Sequence, residues 1–375
     1  MKIYNIQKLI AVFFISTLFF TSCNKDNNDV PIAENTFNGN GLKVLTYAYH
    51  KKGVSGKGLS VTTIAEFDTQ DTYNNYADDL DSQVDALDDA FVAEWGYLDD
   101  DALNAKEEEL GFDSEKPLTD FENQIGLQSL RQKYIVAENA WLDNDILDES
   151  TAPDNSSIYD FDESKMALIN TLGEVKIGTT IIKKLTVKQI NDINTTLAKS
   201  GVKGKAALVP IDGVYLTIND GDFNTLIAYN EGDVSVVNND NVTVVQDSNV
   251  GCKYFKSKTF TDHYANGKKV WLKVKFDNVG GGLFFKAKAK IKSFKQKSNG
   301  HWRRYRTSLG VQVATNQFCD DFYKVTKSMK RKRRKKLKRT ITRAGVGNLK
   351  ARSDGESVIG GYEYGGKSGI LKLTW

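Results

Sequence analysis

Charge is segregated along this chain, and any fold it adopts has to accommodate that. Residues 24–165 carry 32 Asp and Glu against 10 Lys and Arg, a net of −22. Residues 166–375 carry 16 against 39, a net of +23. Over all 375 residues the two blocks almost cancel, leaving +3. Blocks of opposite sign predict separate modules. Three arrangements satisfy the electrostatics: both faces are solvated, the acidic module docks on the basic one within or between chains, or the basic module attracts an external polyanion. With 40% hydrophobic and 26% charged residues there is ample material for a core. That composition excludes a disordered chain, a collagen-like repeat and a polytopic membrane protein.

The N-terminus predicts export. Lys2 and Lys8 precede an unbroken apolar run over residues 9–20. A membrane-spanning helix needs roughly 20 such residues, so this run is too short to span. Phe20-Thr21-Ser22-Cys23 follows. Small residues directly before a cysteine resemble the lipobox of bacterial lipoproteins, with Phe20 where Leu is usual. The resemblance implies a signal peptide over 1–22 and acylation of the Cys23 thiol. Two or more acyl chains would make the anchor stable. Residues 23–40 are polar and Asn-rich and read as a flexible tether. The stretch after Cys23 resembles the export tags of Bacteroidota surface lipoproteins, which implies an outer-membrane or cell-surface location.

The acidic module, 41–165, opens with two apolar strand candidates at 42–48 and 59–65, joined by a Gly- and Lys-rich connection. Tyr73, Tyr76, Leu80, Val84, Leu87, Phe91, Trp95 and Leu98 then recur every three or four residues. That spacing predicts one helix with a core-facing stripe. Its outer face carries Asp78, Asp79, Asp81, Asp85, Asp88, Asp89 and Glu94. A second helical stretch is expected over 118–141, capped by Thr119 or Asp120. The acidic, turn-rich stretch from Asp143 to Glu163 reads as a solvated linker.

Residues 166–250 read as a small α+β module. A hairpin is expected over 167–184, turning at Thr171-Leu172-Gly173, followed by a short helix over 186–200. Short strands are expected at 209–219, 225–230, 234–237 and 242–245. Leu168 and Asn170, Gly173-Glu174, Ile177-Gly178-Thr179-Thr180 and, upstream, Phe121 with Ser129-Leu130-Arg131 together resemble a group of uncharacterised Bacteroidota lipoproteins. The resemblance covers roughly residues 60–200. It implies location and architecture, and no site residues. Asp220, Asp222, Asn224 and Glu231 fall at positions 1, 3, 5 and 12 of a calcium loop. Thr225 stands where the sharp turn needs Gly, so a polar turn is the competing reading.

The basic module, 251–375, alternates with period two at 269–276, 283–294 and 309–313, with Gly turns between. This predicts an antiparallel sandwich with one apolar face and one carpeted by Lys and Arg. The fold class expected for the whole chain is α+β. Cys252 and Cys319, an even pair outside the cytoplasm, are expected to form a disulfide, worth roughly 3–4 kcal/mol on the loop-entropy model. Residues 330–339 hold nine basic residues: Lys330, Arg331, Lys332, Arg333, Arg334, Lys335, Lys336, Lys338 and Arg339. Outside a cell, the polyanions such a run meets are lipopolysaccharide phosphates, acidic polysaccharide or extracellular DNA. The competing reading is a solvated, self-repelling loop or helix. Residues 361–368 match a P-loop literally, but too few residues follow for the required helix, so a hairpin turn is expected.

No HExxH or Gly-x-Ser-x-Gly occurs, and His50, His263 and His301 lack metal-ligand spacing. The sequence therefore predicts a lipid-anchored binding or scaffold protein without a cofactor. Its alternative is an extracytoplasmic hydrolase using carboxylates near 99–101 or 143–148.

Overall fold

The computed structural model describes residues 33–374 apart from 51–57, 145, 157, 160–161, 200–213, 247–255, 265–266, 280–283, 316–324 and 345–356. The expected signal peptide, Cys23, Cys252 and Cys319 lie outside the described residues. The fold is α+β. Seven strands form one sheet in chain order: β1 (Ala33–Gly39), β2 (Leu42–His50), β3 (Leu59–Phe67), β4 (Glu174–Ile177), β5 (Thr180–Lys184), β6 (Val214–Ile218) and β7 (Val242–Gln246). Only β3 and β4 pair in parallel. Five helices intervene between them, the long crossover that a parallel neighbour requires. They are α1 (Gln70–Trp95), α2 (Asp100–Glu109), α3 (Lys116–Ile125), α4 (Leu130–Leu142) and the single turn α5 (Glu163–Met166). Two more, α6 (Val187–Lys199) and α7 (Phe223–Asn230), follow later in the chain.

Strand alternation sends side chains to two cores. Val44, Ala65, Phe67 and Val175 pack with Tyr73, Leu80, Leu118 and Ile125 on one face. Tyr47, Ile64, Ile181 and Leu216 pack with Ile190, Ile193, Phe223 and Leu226 on the other. The boundary expected at 165/166 therefore falls within one sheet. Charge sign changes there, but strands from both sides complete a single ladder. The tether expected over 23–40 is likewise shorter, because β1 pairs with β2. Asn40 and Gly41, at φ 50° and 75°, make the positive-φ turn between them.

The long stripe folds as α1, with the Thr69 hydroxyl accepting from the Thr72 N–H at 3.1 Å. The second expected helix is two. It stops at Gly126 (φ 69°) and restarts as α4 behind a Ser129–Gln132 capping box. The sequence reading has no helix at α2, whose polar run shows little period. It also assigns strands to 225–230 and 234–237, which form α7 and a 3-10 turn (Val234–Asn238). Short apolar runs do not distinguish strand from helix by period. Residues 167–170 form a turn, and the hairpin lies inside 174–184 as β4–β5.

The C-terminal part is the expected antiparallel sandwich. Its strands are β8 (Lys256–Tyr264), β9 (Lys268–Val279), β10 (Phe284–Gln296), β11 (Trp302–Arg304), β12 (Thr307–Thr315), β13 (Val325–Arg334), β14 (Lys336–Ala344), β15 (Ser357–Tyr364) and β16 (Lys367–Thr374). One sheet runs β11-β10-β9-β8 with β14 also on β10; the other runs β13-β12-β15-β16. Val270, Leu272, Val274, Ala289 and Ile291 of the first meet Leu309, Val311, Val313, Tyr362 and Leu371 of the second. Residues 330–339 are thus two strands, β13 and β14, that pass from one sheet to the other at Lys335. Gly360 permits the close approach of the sheets. A Cβ there would lie 2.4 Å from Val274 Cγ2. Gly360→Val is expected to cost about 1–3 kcal/mol by overpacking, read as a lowered urea midpoint; an unchanged midpoint would mean the sheets separate freely there.

Candidate functional site

The lysine carpet of the five-stranded sheet does not face water. Lys269, Lys273, Lys288, Lys290 and Lys292 are all buried. They lie under α4 and the acidic stretch expected to be a solvated linker. Lys292 Nζ donates to Glu138 at 2.6 Å and to Asp154 at 2.7 Å, and Lys290 pairs with Asp154 at 3.1 Å. Arg304 bridges Glu115, at 2.8 Å, and Glu138. Lys336 pairs with Glu115 at 2.6 Å and with Glu163. Beside these ions Trp141, Leu142, Leu147 and Ala152 pack on Trp271, Phe294 and Trp302. Burial alone would raise these carboxyl pKa values. The cations outweigh it: Arg304, then Lys292, hold Glu138 at about 2. Lys290, Lys292 and Lys273 likewise keep Asp154 well below its usual value.

The run 330–339 meets the outer face of α1 and the start of α2. Arg334 contacts Asp85 (3.0 Å), Asp88 (2.8 Å) and Asp89 (2.7 Å). Lys330 reaches Asp85 at 3.3 Å, Lys332 reaches Asp89 at 2.8 Å, and Lys335 reaches Glu107 at 3.0 Å. Arg333 pairs with Asp100 at 2.6 Å and donates to the Gly96 and Leu98 carbonyls at the end of α1. Lys338 sits between Asp81 and Asp162. Arg306, fully buried, contacts Asp88 at 2.5 Å and Glu107 at 3.0 Å. Of the three electrostatic arrangements, docking of the acidic on the basic module is therefore realised within one chain. Two residues of the run look elsewhere. Arg331 grips Glu363 of its own sheet through two bonds of 2.5 and 2.7 Å, and Arg339 Nε donates to the Ser328 carbonyl. A cavity of about 100 Å³ persists inside this seam, lined by Asp81, Glu115, Glu163, Lys290 and Lys336 among others.

The residues that carry the lipoprotein resemblance are internal braces. Asn170 donates to the Thr63 carbonyl at 2.9 Å and to Glu174 at 2.8 Å, and accepts from the Leu172 and Glu174 N–H groups. Glu174, buried, also receives Lys183 at 2.8 Å, Asn230 at 2.8 Å and the Tyr47 hydroxyl. Arg131 spans Glu115 at 3.0 Å and Glu122 at 2.9 Å. The sequence reading missed this network because its partners lie up to 183 residues apart, as Asn230 and Tyr47 do.

The calcium-loop residues serve other purposes. Asp222 caps α7, accepting from the Asn224 and Thr225 N–H groups at 3.0 and 3.2 Å. Glu231 accepts the His50 N–H at 2.8 Å. Asp220 takes φ 60° in the turn before the cap, and Asn224 is an exposed first-turn residue. Among the described residues no three His, Cys, Asp or Glu groups converge as a metal site would require. Of the carboxylates considered for hydrolysis, Asp145 lies outside the described residues and the others are engaged. Asp99 caps α2, Asp100 accepts from Thr307 and Arg333, and Asp101 accepts from Lys295 and Tyr305. Asp148 accepts from Ser150, and Asp143 lies 3.6 Å from His301.

The P-loop-like segment is a hairpin between β15 and β16, turning through Gly365 (φ 55°) and Gly366 (φ 77°). It forms one wall of a cleft of about 550 Å³ on the outer face of the four-stranded sheet. Arg331, Lys332 and Arg333 form the opposite wall; Ser308 and Gly310 lie on the floor, with Glu363, Lys367 and Ser368 alongside the turn. Across the sheet, Arg331, Gly310, Glu363 and Ser368 stand in one row. The Arg331–Glu363 pair spans Gly310, where an added Cβ would lie 2.9 Å from Glu363 Cβ and 3.1 Å from Met329 Sδ.

No protein-family model matches the chain, and no curated protein matches it. It is similar, at 12% identity, to the crystal structure of a DUF4848 family protein from Bacteroides thetaiotaomicron. That match covers 82% of this chain and 96% of the other at a TM-score of 0.18. A likeness of that size carries no weight for the fold or the site.

Proposed function

We propose that this chain is an exported lipoprotein, anchored through Cys23 in the outer membrane or at the cell surface, that binds an anionic surface polymer and catalyses no reaction. The observation that carries the binding reading is the open cleft on the sandwich, whose walls bring Arg331, Lys332, Arg333 and Lys367 to one opening. The seam bounds the cleft on one side: it fastens the acidic helices to the five-stranded sheet and to the β13 edge of this one, through Lys330, Lys332, Arg333 and Arg334. The engaged state of Asp99, Asp100 and Asp101 supports binding over hydrolysis. The export half rests on the apolar run and on Thr21-Ser22-Cys23.

Two measurements test it. Labelled palmitate is expected to enter the wild-type protein and not Cys23→Ala; equal labelling would remove the anchor. Retention of the full chain on immobilised heparin or lipopolysaccharide is expected to weaken steeply with salt. Lys332 and Arg333 are held by α1 and α2, so with about two cations engaged affinity should fall on the order of tenfold between 50 and 200 mM salt. Retention indifferent to salt would count against binding by charge.

A further inference from the structure

We infer that the side chains of Lys183 and Asn230 join in an amide bond, formed once after folding with loss of ammonia and with Glu174 as the proton carrier. The bond clamps β5 to α7. It goes beyond the binding reading above and does not depend on it.

Three side chains meet on one atom. Glu174 Oε1 accepts from Lys183 Nζ at 2.8 Å and from Asn230 Nδ2 at 2.8 Å. An amine and a carboxamide held on one oxygen are neighbours, which is the proximity a transamidation requires. The Leu172 carbonyl holds Nζ a second time, at 3.1 Å. The other Glu174 oxygen accepts from the Tyr47 hydroxyl and from Asn170, the latter at 2.8 Å, so the carboxylate is fixed in place. The site is dry. Glu174 is 0% and Lys183 2% exposed, and the Tyr229 ring centroid lies 5.9 Å from Nζ. Exclusion of water leaves the amine without a competing nucleophile.

The protons have a path. Lys183 holds the Glu174 carboxyl below its usual value despite burial, so the pair starts as ammonium and carboxylate. Nζ passes a proton to Glu174 Oε1, and the freed amine attacks Asn230 Cγ. The new Nζ–Cγ bond forms and the Cγ–Nδ2 bond breaks. In all, two protons move from Nζ to Nδ2, which departs as ammonium, and Glu174 ends as the carboxylate it began. The leaving nitrogen already sits on the oxygen that carries the proton to it. Asn230 is half-buried, which gives ammonium a way out. The step runs once per chain, so a slow rate suffices.

Asn170 is the other carboxamide on Glu174. Its oxygen accepts from the Leu172 and Glu174 N–H groups, and its nitrogen also donates to the Thr63 carbonyl. Both ends are committed to the turn before β4. The described bonds of Asn230 all run from its nitrogen, to Glu174 and to the Tyr47 hydroxyl at 3.0 Å. Its carbonyl carbon is the one left open to attack.

The test is a tryptic digest of the reduced, denatured full chain, read by mass spectrometry. Trypsin cuts this sequence into peptides 177–184 and 206–253 around the two residues, with Lys183 shielded by the bond. They are expected as one branched species, lighter than their sum by one ammonia, with fragment ions placing the branch at Lys183 and Asn230. Lys183→Arg keeps the cation and lacks the nucleophile. Asn230→Ala lacks the acyl carbon. Glu174→Gln keeps the shape and lacks the proton carrier. Each is expected to give separate peptides. The wild-type digest decides the matter even where a variant folds poorly. Separate peptides from wild-type protein after days at neutral pH would overturn the inference. So would a branch at Asn170, or a bond that still forms in Glu174→Gln.

Discussion

Glu138→Gln is expected to cost about 3–5 kcal/mol, seen as a large drop in the urea midpoint at neutral pH. Glu138 is fully buried, and its two oxygens serve different cations. One accepts from Lys292 at 2.6 Å and from the Tyr134 hydroxyl at 3.0 Å; the other takes Arg304. The isosteric amide keeps the volume and removes the charge. Lys292 then retains Asp154, and Arg304 retains Glu115, but the buried cluster gains a net positive charge. Removing one partner of a buried pair costs this much because desolvation of the remaining ion goes uncompensated. A pair in water behaves differently. Lys116 and Asp120, each more than half exposed, form an i,i+4 bridge on α3. Breaking it is expected to cost less than about 1 kcal/mol. A double-mutant cycle of Glu138→Gln with Arg304→Met should show strong coupling. Additive effects would mean that the seam is held by its apolar patch around Trp141 and Trp271 and not by its ions.

The seam also shows what could be read from residues alone. Period announced α1 and the strands of the sandwich, because both bury a face continuously: Tyr73, Leu80 and Phe91 at helical spacing, and Leu272, Val274, Ala289 and Ile291 at every second position. The charge totals announced that two modules should attract. They did not announce which charges would be buried. Asp88 and Lys290 look like solvent-facing residues in any local window. Their burial depends on partners far along the chain, Arg306 and Arg334 for Asp88 and Asp154 for Lys290, which pattern does not encode. The run 330–339 was ambiguous for the same reason. Nine cations repel each other as an isolated segment, and only the carboxylates of α1, α2 and the 154–163 region make two strands of them. The cleft was visible only in fragments. Gly365, Gly366 and Lys367 stood out as a failed P-loop, and Arg331 as one cation among nine. Sheet register is what sets them around a common floor.

Acid should open the seam, and the direction follows from the carboxyl groups. Arg304 and Lys292 hold Glu138 at about 2 against an ordinary 4.5, despite burial. Glu115, Asp154 and Asp162 are lowered too, each by cations that outweigh desolvation: Lys336 first for Glu115, Lys290 for Asp154, Lys338 for Asp162. A carboxyl whose folded pKa lies below its unfolded one stabilises the fold fully above about pH 4.5. That stabilisation is lost as pH falls through the folded value. At about 1.4 kcal/mol per unit, Glu138 alone contributes about 3 kcal/mol at neutral pH. Asp81 and Glu122 act oppositely. Burial raises both, so their contribution is present at low pH and lost on ionisation. The depressed carboxyls, which outside the seam include the buried Glu174, outnumber these two raised ones and leave a net loss on acidification. The urea midpoint is therefore expected to fall from pH 5 to pH 2, with most of the loss below pH 4. Glu138→Gln supplies the internal check, because it has no proton to take up at that position. It should lie well below wild type at pH 7 and converge on it near pH 2. Parallel curves at a constant offset would show that Glu138 titrates normally and that its cations do not hold it. Convergence would locate the acid sensitivity in the ionic seam that joins the helices to the sandwich.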